Sequence, residues 1–188
     1  NEAGSGLQYT YHNAKNAETF GVELDVKKNL DFIGLRGLSF VCNAAYIYSR
    51  VRFEEGAPER DRPLAGQSPY LVNAGFFYQY DDKGISASLL YNRIGKRIES
   101  VGVPMQNQNE DIPDIYEMPR NSLDLTFSKK IGKIVEIKAG IQDMLNSKVE
   151  YKQFVKLTDD KGGKSEREQL IRSYRPGVDI NIGVSLRF

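Results

Sequence analysis

The last eleven residues, Val178–Phe188, constrain the fold of this chain most. Apolar side chains occupy every even position: Val178, Ile180, Ile182, Val184, Leu186 and Phe188. Polar or small ones occupy every odd position: Asp179, Asn181, Gly183, Ser185 and Arg187. Successive side chains of a strand point to opposite faces, so this strand has one apolar and one polar face. Its length matches the roughly 9–11 residues that a tilted strand needs to cross a bilayer. Such a face is turned either to lipid or to a buried core.

The same period recurs along the chain. Leu7–His12 alternates, with Leu7, Tyr9 and Tyr11 on one side, and Asn13–Ala17 is a short polar break. Thr19–Val26 sets Phe20, Val22, Leu24 and Val26 against Gly21, Glu23 and Asp25. Further strands are expected over Leu38–Phe53, Pro69–Tyr80, Ile85–Ile98 and Arg120–Lys130. Another covers Ile134–Leu157, with an irregular middle at Asp143–Asn146, and the final strand enters through Tyr174–Gly177. That makes eight strands, or seven if Asn13–Ala17 is only a bulge, with no helix. Connections are short, so the array is antiparallel and up-and-down.

The connections sort by parity. The long polar loops Glu54–Ser68, Glu99–Met118 and Thr158–Glu168 fall at one end. The tight turns Asp81–Gly84 and Ile131–Lys133 fall at the other. Membrane barrels show this asymmetry, with long external loops and short periplasmic turns. Tyr and Phe gather near strand ends (Tyr46, Tyr48 and Phe53; Tyr70, Tyr78 and Tyr80), as in an aromatic girdle. A soluble barrel with apolar residues inside has the same alternation and stays open as a reading.

Bulk properties exclude several classes. No run approaches the ~18 apolar residues of a transmembrane helix. The formal charge is +1 and Lys and Arg are interleaved with Asp and Glu, which gives no argument for nucleic acid. Cys42, the single cysteine, allows no internal disulfide and falls on an apolar face as a small hydrophobe. His12 is the single histidine, so no multi-histidine metal site or catalytic triad forms around it. Asp159 and Asp160 with Gly162 and Gly163 hint at a calcium loop but lack its ligand spacing. No phosphate-binding glycine loop or nucleophile elbow is present. No enzyme activity, metal or cofactor is expected.

The terminal pattern Ile180, Ile182, Val184, Leu186 and Phe188 resembles the insertion signal of outer-membrane proteins. That resemblance implies recognition by the barrel-assembly machinery of a Gram-negative outer membrane. Four further segments resemble TonB-dependent receptors: Glu18–Val26, Arg62–Gly75, Ile141–Asn146 and Tyr174–Gly177. Asp143, Met144 and Leu145 stand where that family usually has Asn, Leu and Phe, and Val178 stands where Arg is common. The resemblance implies a 22-stranded barrel with a plugged lumen, of which residues 1–188 would be the C-terminal portion. The N-terminal strands, the plug and its contact to TonB would lie outside this sequence. Asn1 in place of Met fits such a processed or truncated chain.

The function this implies is active import of a nutrient, whether siderophore, cobalamin, glycan or peptide. Loops 54–68, 99–118 and 158–172 would face the exterior and the C-terminus the periplasm, with outer-membrane lipid as a partner. Glu23, Asp25, Asp124, Glu136, Lys138, Asp179 and Arg187 would face a wet lumen. A small closed barrel acting as pore, adhesin or anchor, and a soluble ligand-binding barrel, are the other readings.

Overall fold

A computed structural model describes residues 13–57, 59–103, 112–158 and 163–186. The expected strand Leu7–His12, with His12, lies outside them, as do the loop centre 104–111, residues 159–162, Arg187 and Phe188. The described residues are all-β and antiparallel, in two sheets. Two single 3-10 turns are the only helical segments among them. No described helix is long and apolar enough to cross a membrane, which says nothing of strands.

The larger sheet contains β1 (Asn16–Asn29), β2 (Leu38–Arg52), β3 (Tyr70–Tyr80) and β4 (Ile85–Ile94). The smaller contains β5 (Arg97–Ser100) and β6 (Ile115–Glu117). The chain returns to the larger sheet as β7 (Arg120–Ile131) and β8 (Val135–Gln142). It enters the smaller again as β9 (Val149–Thr158) and β10 (Lys164–Tyr174), and ends in the larger as β11 (Asp179–Leu186). Spatial order is β1-β2-β3-β4-β7-β8-β11 in one and β10-β9-β6-β5 in the other. Read across the breaks, the order is the same in both. The smaller sheet therefore prolongs four strands of the larger beyond a corner at Gly95–Lys96, Met118–Pro119, Asp143–Lys148 and Arg175–Val178.

Several expectations are corrected. β1 begins at Asn16 and pairs there with Arg52, so the end of the supposed break Asn13–Ala17 is already strand. Ile85–Ile98 is two strands, β4 and β5, and Ile134–Leu157 is also two, β8 and β9, split at the expected irregularity. Residues 99–118 are not all loop: β6 pairs β5, and Val103 bridges Ile112. Residues 158–172 are mostly strand, because β10 starts at Lys164 and pairs β9 along its length. The larger sheet is open, with β1 and β11 at its edges, and does not close into a barrel.

Pairing places side chains on two chemically distinct faces. Partners in an antiparallel ladder point to the same side. The line Val26, Cys42, Ala74, Tyr91, Leu123 runs across five strands, and Ile180, Ile141, Leu125, Leu89, Phe76, Phe40 across six. The reverse face carries Asp25, Asn43, Asn73, Asn92 and Ser122 in one line. It is knitted by side-chain hydrogen bonds: Ser86 to Ser128 at 2.8 Å, Ser88 to Thr126 at 2.7 Å, and Asn92 Nδ2 to Asn73 Oδ1 at 2.5 Å. Glu23, Asp124, Glu136, Lys138 and Asp179 share this polar face. Almost none of the apolar face is covered: Val22 is 74% exposed and Ile182 77%.

The apolar band crosses the sheet obliquely. It begins at Phe20 on β1 and at Ile180 on β11. The register line through Ile180 reaches β1 at Lys28, eight residues beyond Phe20 over six interstrand steps. With a rise of about 3.3 Å per residue and a strand spacing of about 4.8 Å, the strands lean about 40° from the normal to the band. Aromatic rings mark both margins. Phe20 stacks on Tyr48 at 4.8 Å and Tyr46 pairs with Tyr70 at one; Tyr78 and Tyr80 stand at the other.

Tight turns close the far end of the sheet. Asp81–Lys83 form a 3-10 turn ended by Gly84 at φ 59°, a left-handed conformation that favours glycine. Gly132, at φ 60°, plays that part between β7 and β8.

Candidate ligand-contact surface

The long connections meet above the corner. Residues 59–63 form a strap that returns onto β2, where Val51 bridges Arg62. Asp61 anchors it: its Oδ1 accepts the Phe53 N–H at 3.2 Å and its Oδ2 accepts Arg50 Nη2 at 3.0 Å. These interactions, the Phe53 hydrogen bond foremost, hold the Asp61 carboxyl below the ordinary aspartate range. Beyond the strap, Gly66 N–H donates to the Ile98 carbonyl at 2.8 Å, joining the loop to β5. Ile98 is 1% exposed and is the anchor of this packing. A Cβ at Gly95 would sit 2.8 Å from Ser68 Oγ, so the strand breaks where the loop presses closest.

From the other side, the β5–β6 hairpin is fixed by Gly102 N–H donating to Asp114 Oδ1 at 2.8 Å and Gln153 Nε2 donating to the Pro113 carbonyl at 2.9 Å. Arg97 grips Glu117 Oε2 with two donors, at 2.9 and 2.7 Å. Lys96 leaves the break at Gly95 and lays its ammonium over two rings, 4.2 Å from the Tyr116 centroid and 3.9 Å from that of Phe154. The two rings meet edge to face at 5.8 Å. Burial, reinforced by Asp114, raises the Tyr116 phenol above its usual range and keeps it protonated. On β9, Lys152 binds Glu168 at 2.7 Å and Glu150 at 3.3 Å, which raises its pKa.

Between strap and hairpin lies an open cavity of about 470 Å³. Glu59, Arg60, Arg62, Lys96, Tyr116, Phe154, Lys156 and Glu166 are on its walls. Glu59 Oε2 is buried with no hydrogen-bond partner among the described residues, which leaves an acceptor for an incoming donor. Acceptors, cations and aromatic faces mixed in this way suit charged and aromatic side chains better than a purely apolar ligand.

The corner below this surface is cross-linked by hydrogen bonds and an ion pair. Asp143 and Asn146 take positive φ, 52° and 43°. Arg120 pairs with Asp143, whose own N–H donates to Asp124 Oδ1 at 2.8 Å. Asn146 Oδ1 accepts the Gly177 N–H at 3.1 Å, and its carbonyl accepts Arg175 Nη1 at 2.6 Å. The segments Ile141–Asn146 and Tyr174–Gly177, singled out in the sequence, are thus each other's partners.

Of the three loops expected to be exposed, the structure brings 54–68 and 99–118 to one cavity. The third contributes through Glu166 on β10. Lys96 and Phe154 carried no signal in the sequence, since each lies inside an expected strand. The terminal residues Ile180, Ile182, Val184 and Leu186 form the exposed apolar face of edge strand β11.

The chain is similar to transferrin-binding protein A of Haemophilus influenzae, with 26% identity over 160 residues. The match covers 78% of this chain and 17% of the relative, so the chain spans about a sixth of that protein's length. No family model and no solved structure matches it.

Proposed function

We propose that the chain is barrel wall and external loop surface of a TonB-dependent outer-membrane receptor that takes up a nutrient carried by a protein ligand. The oblique apolar band carries the reading. An open sheet with one uncovered apolar face of roughly 700 Å² exceeds what a soluble monomer leaves bare. A slope near 40° is that of membrane-barrel strands, which lean about 35–45° between aromatic girdles. The polar face then lines a wet lumen, and both open edges join further strands outside this chain. Unpaired edges of this length would otherwise be an aggregation hazard.

The similarity to a protein named for transferrin binding favours a protein ligand over a small chelate. Side chains of that ligand would enter the cavity between strap and hairpin, where Lys96 and Glu59 offer a donor and an acceptor. Barrel-assembly factors acting on β11, and TonB acting through a plug, complete the reading.

Fractionation and binding test it together. The full-length protein should stay in the outer-membrane pellet until detergent is added. Once solubilised, it should bind immobilised transferrin, more weakly as Lys96→Glu. Release into aqueous buffer without detergent would overturn the membrane reading. Retention in the pellet with no binding, or binding indifferent to Lys96, would overturn the ligand assignment alone.

A further inference from the structure

Charge is partnered unevenly along the apolar band. At the loop end, five cations have carboxylate partners, Lys15 with Glu54, Arg52 with Glu18, Arg50 with Asp61, Arg97 with Glu117 and Arg120 with Asp143, while Lys96 and Arg62 lie over aromatic rings. At the turn end, three lysines have no such partner. Lys28, Lys83 and Lys129 pair with no carboxylate among the described residues. The nearby carboxylates of Asp31 and Asp81 are engaged elsewhere, accepting the Gly37 N–H at 3.1 Å and Gln79 Nε2 at 2.7 Å. Asp82 is the remaining acid of these turns.

The three lysines also lie along one line. The register line of Lys28 meets β3 at Phe76 and β7 at Leu125. Following the slope of the band, about 1.3 residues per strand, moves these points to the neighbourhood of Tyr80 and Lys129. Lys83 places its ammonium 5.4 Å from the Tyr80 ring centroid on the apolar side. Lys28 and Lys129 lie on the apolar face by register, and Lys28 sits 5.3 Å from the centroid of Phe32. Phe32 and Ile33 project bare from the 3-10 turn below. Lys129 Nζ donates to the Lys83 carbonyl, tying two turns together. A shallow cleft of about 480 Å³ lies between those turns, with Lys83, Lys129 and Lys130 on its walls beside Asp81 and Asp82.

We infer that this margin binds the headgroups of anionic phospholipid of the phosphatidylglycerol type. Lysines on the lipid-facing side extend their stems along apolar surface and hold their ammonium groups at headgroup level. Aromatic and aliphatic side chains beside them enter the acyl boundary. A phosphodiester supplies the anion that the chain itself leaves out, and surface lysines attract anionic lipid additively. This inference rests on the membrane reading above.

The test uses the full-length protein in phosphatidylcholine bilayers with spin-labelled lipid as probe. Phosphatidylglycerol should be enriched over phosphatidylcholine in the protein-immobilised component by about two- to fivefold. The preference should vanish in the K28Q/K83Q/K129Q variant and, for the unmodified protein, in 1 M salt, where the Debye length falls to about 3 Å. The salt arm holds even if the variant fails to fold. Equal association of both lipids would overturn the inference, as would a preference that survives the three substitutions. Absence of any immobilised lipid would overturn the membrane reading itself.

Discussion

The Asn146 side-chain oxygen accepts the Gly177 N–H at 3.1 Å, and this contact joins two segments of the corner where the larger sheet gives way to the smaller. Asn146 sits in the left-handed region, which asparagine tolerates because its side chain bonds locally. Asn146→Ala loses the bond and adds backbone strain, so unfolding stability in lipid vesicles should fall by about 2 kcal/mol. Asn146→Gly restores the backbone freedom and should recover about half. Equal stability of all three proteins in urea titration would contradict the assignment.

The larger sheet was legible in the sequence because its two faces are chemically opposed. Phe20 to Val26 and Ile180 to Leu186 alternate without fault, and the structure pairs their strands as that pattern requires. The smaller sheet was not legible. β10, with Ser165, Glu166, Arg167 and Glu168 at its start, is polar on both sides and has no period to detect. β5 and β6 are too short to show one. The corners were only half visible. Asp143–Asn146 reads as an irregularity, but no local feature says that the chain changes sheets there. The cavity joins residues as distant as Glu59, Tyr116 and Phe154, and such contacts follow from strand order, which periodicity leaves undetermined.

Arg120 and Asp143 form the most enclosed ion pair of the corner, with Asp143 9% exposed. Asp143 Oδ1 already lacks a partner among the described residues, so Arg120→Met leaves the carboxylate poorly compensated. A loss of about 2 kcal/mol is expected, the part exposure of Arg120 keeping it below the cost of breaking a fully buried pair. Asp143→Asn should cost less. The double variant should be more stable than the sum of the single effects predicts, and strict additivity would show that the pair is not coupled.

Asp61 makes the strap sensitive to acid. Its folded-state pKa lies below the unfolded value of about 4. The carboxylate therefore stabilises the strap above that value, and the contribution is lost as pH falls through the depressed pKa. Hydrogen exchange at residues 59–64, corrected for intrinsic rates, should rise as pH falls below about 4. At neutral pH, Asp61→Asn should make trypsin cut faster at Arg60. Unchanged cleavage would show that Asp61 does not hold the strap.

Cys42 and Asn43 are neighbours on β2 and point to opposite faces, Cys42 in line with Val26 and Ala74, Asn43 with Asp25 and Asn73. They test the orientation of the larger sheet directly. A nitroxide is attached to Cys42, or to Asn43→Cys in a Cys42→Ala background, in the full-length protein in bilayers with any cysteine outside residues 1–188 replaced. The Cys42 label should collide with lipid-soluble oxygen and be shielded from a water-soluble nickel complex, and the label at position 43 should show the reverse. A Cys42 label open to nickel, with position 43 open to oxygen, would contradict an apolar face turned to lipid.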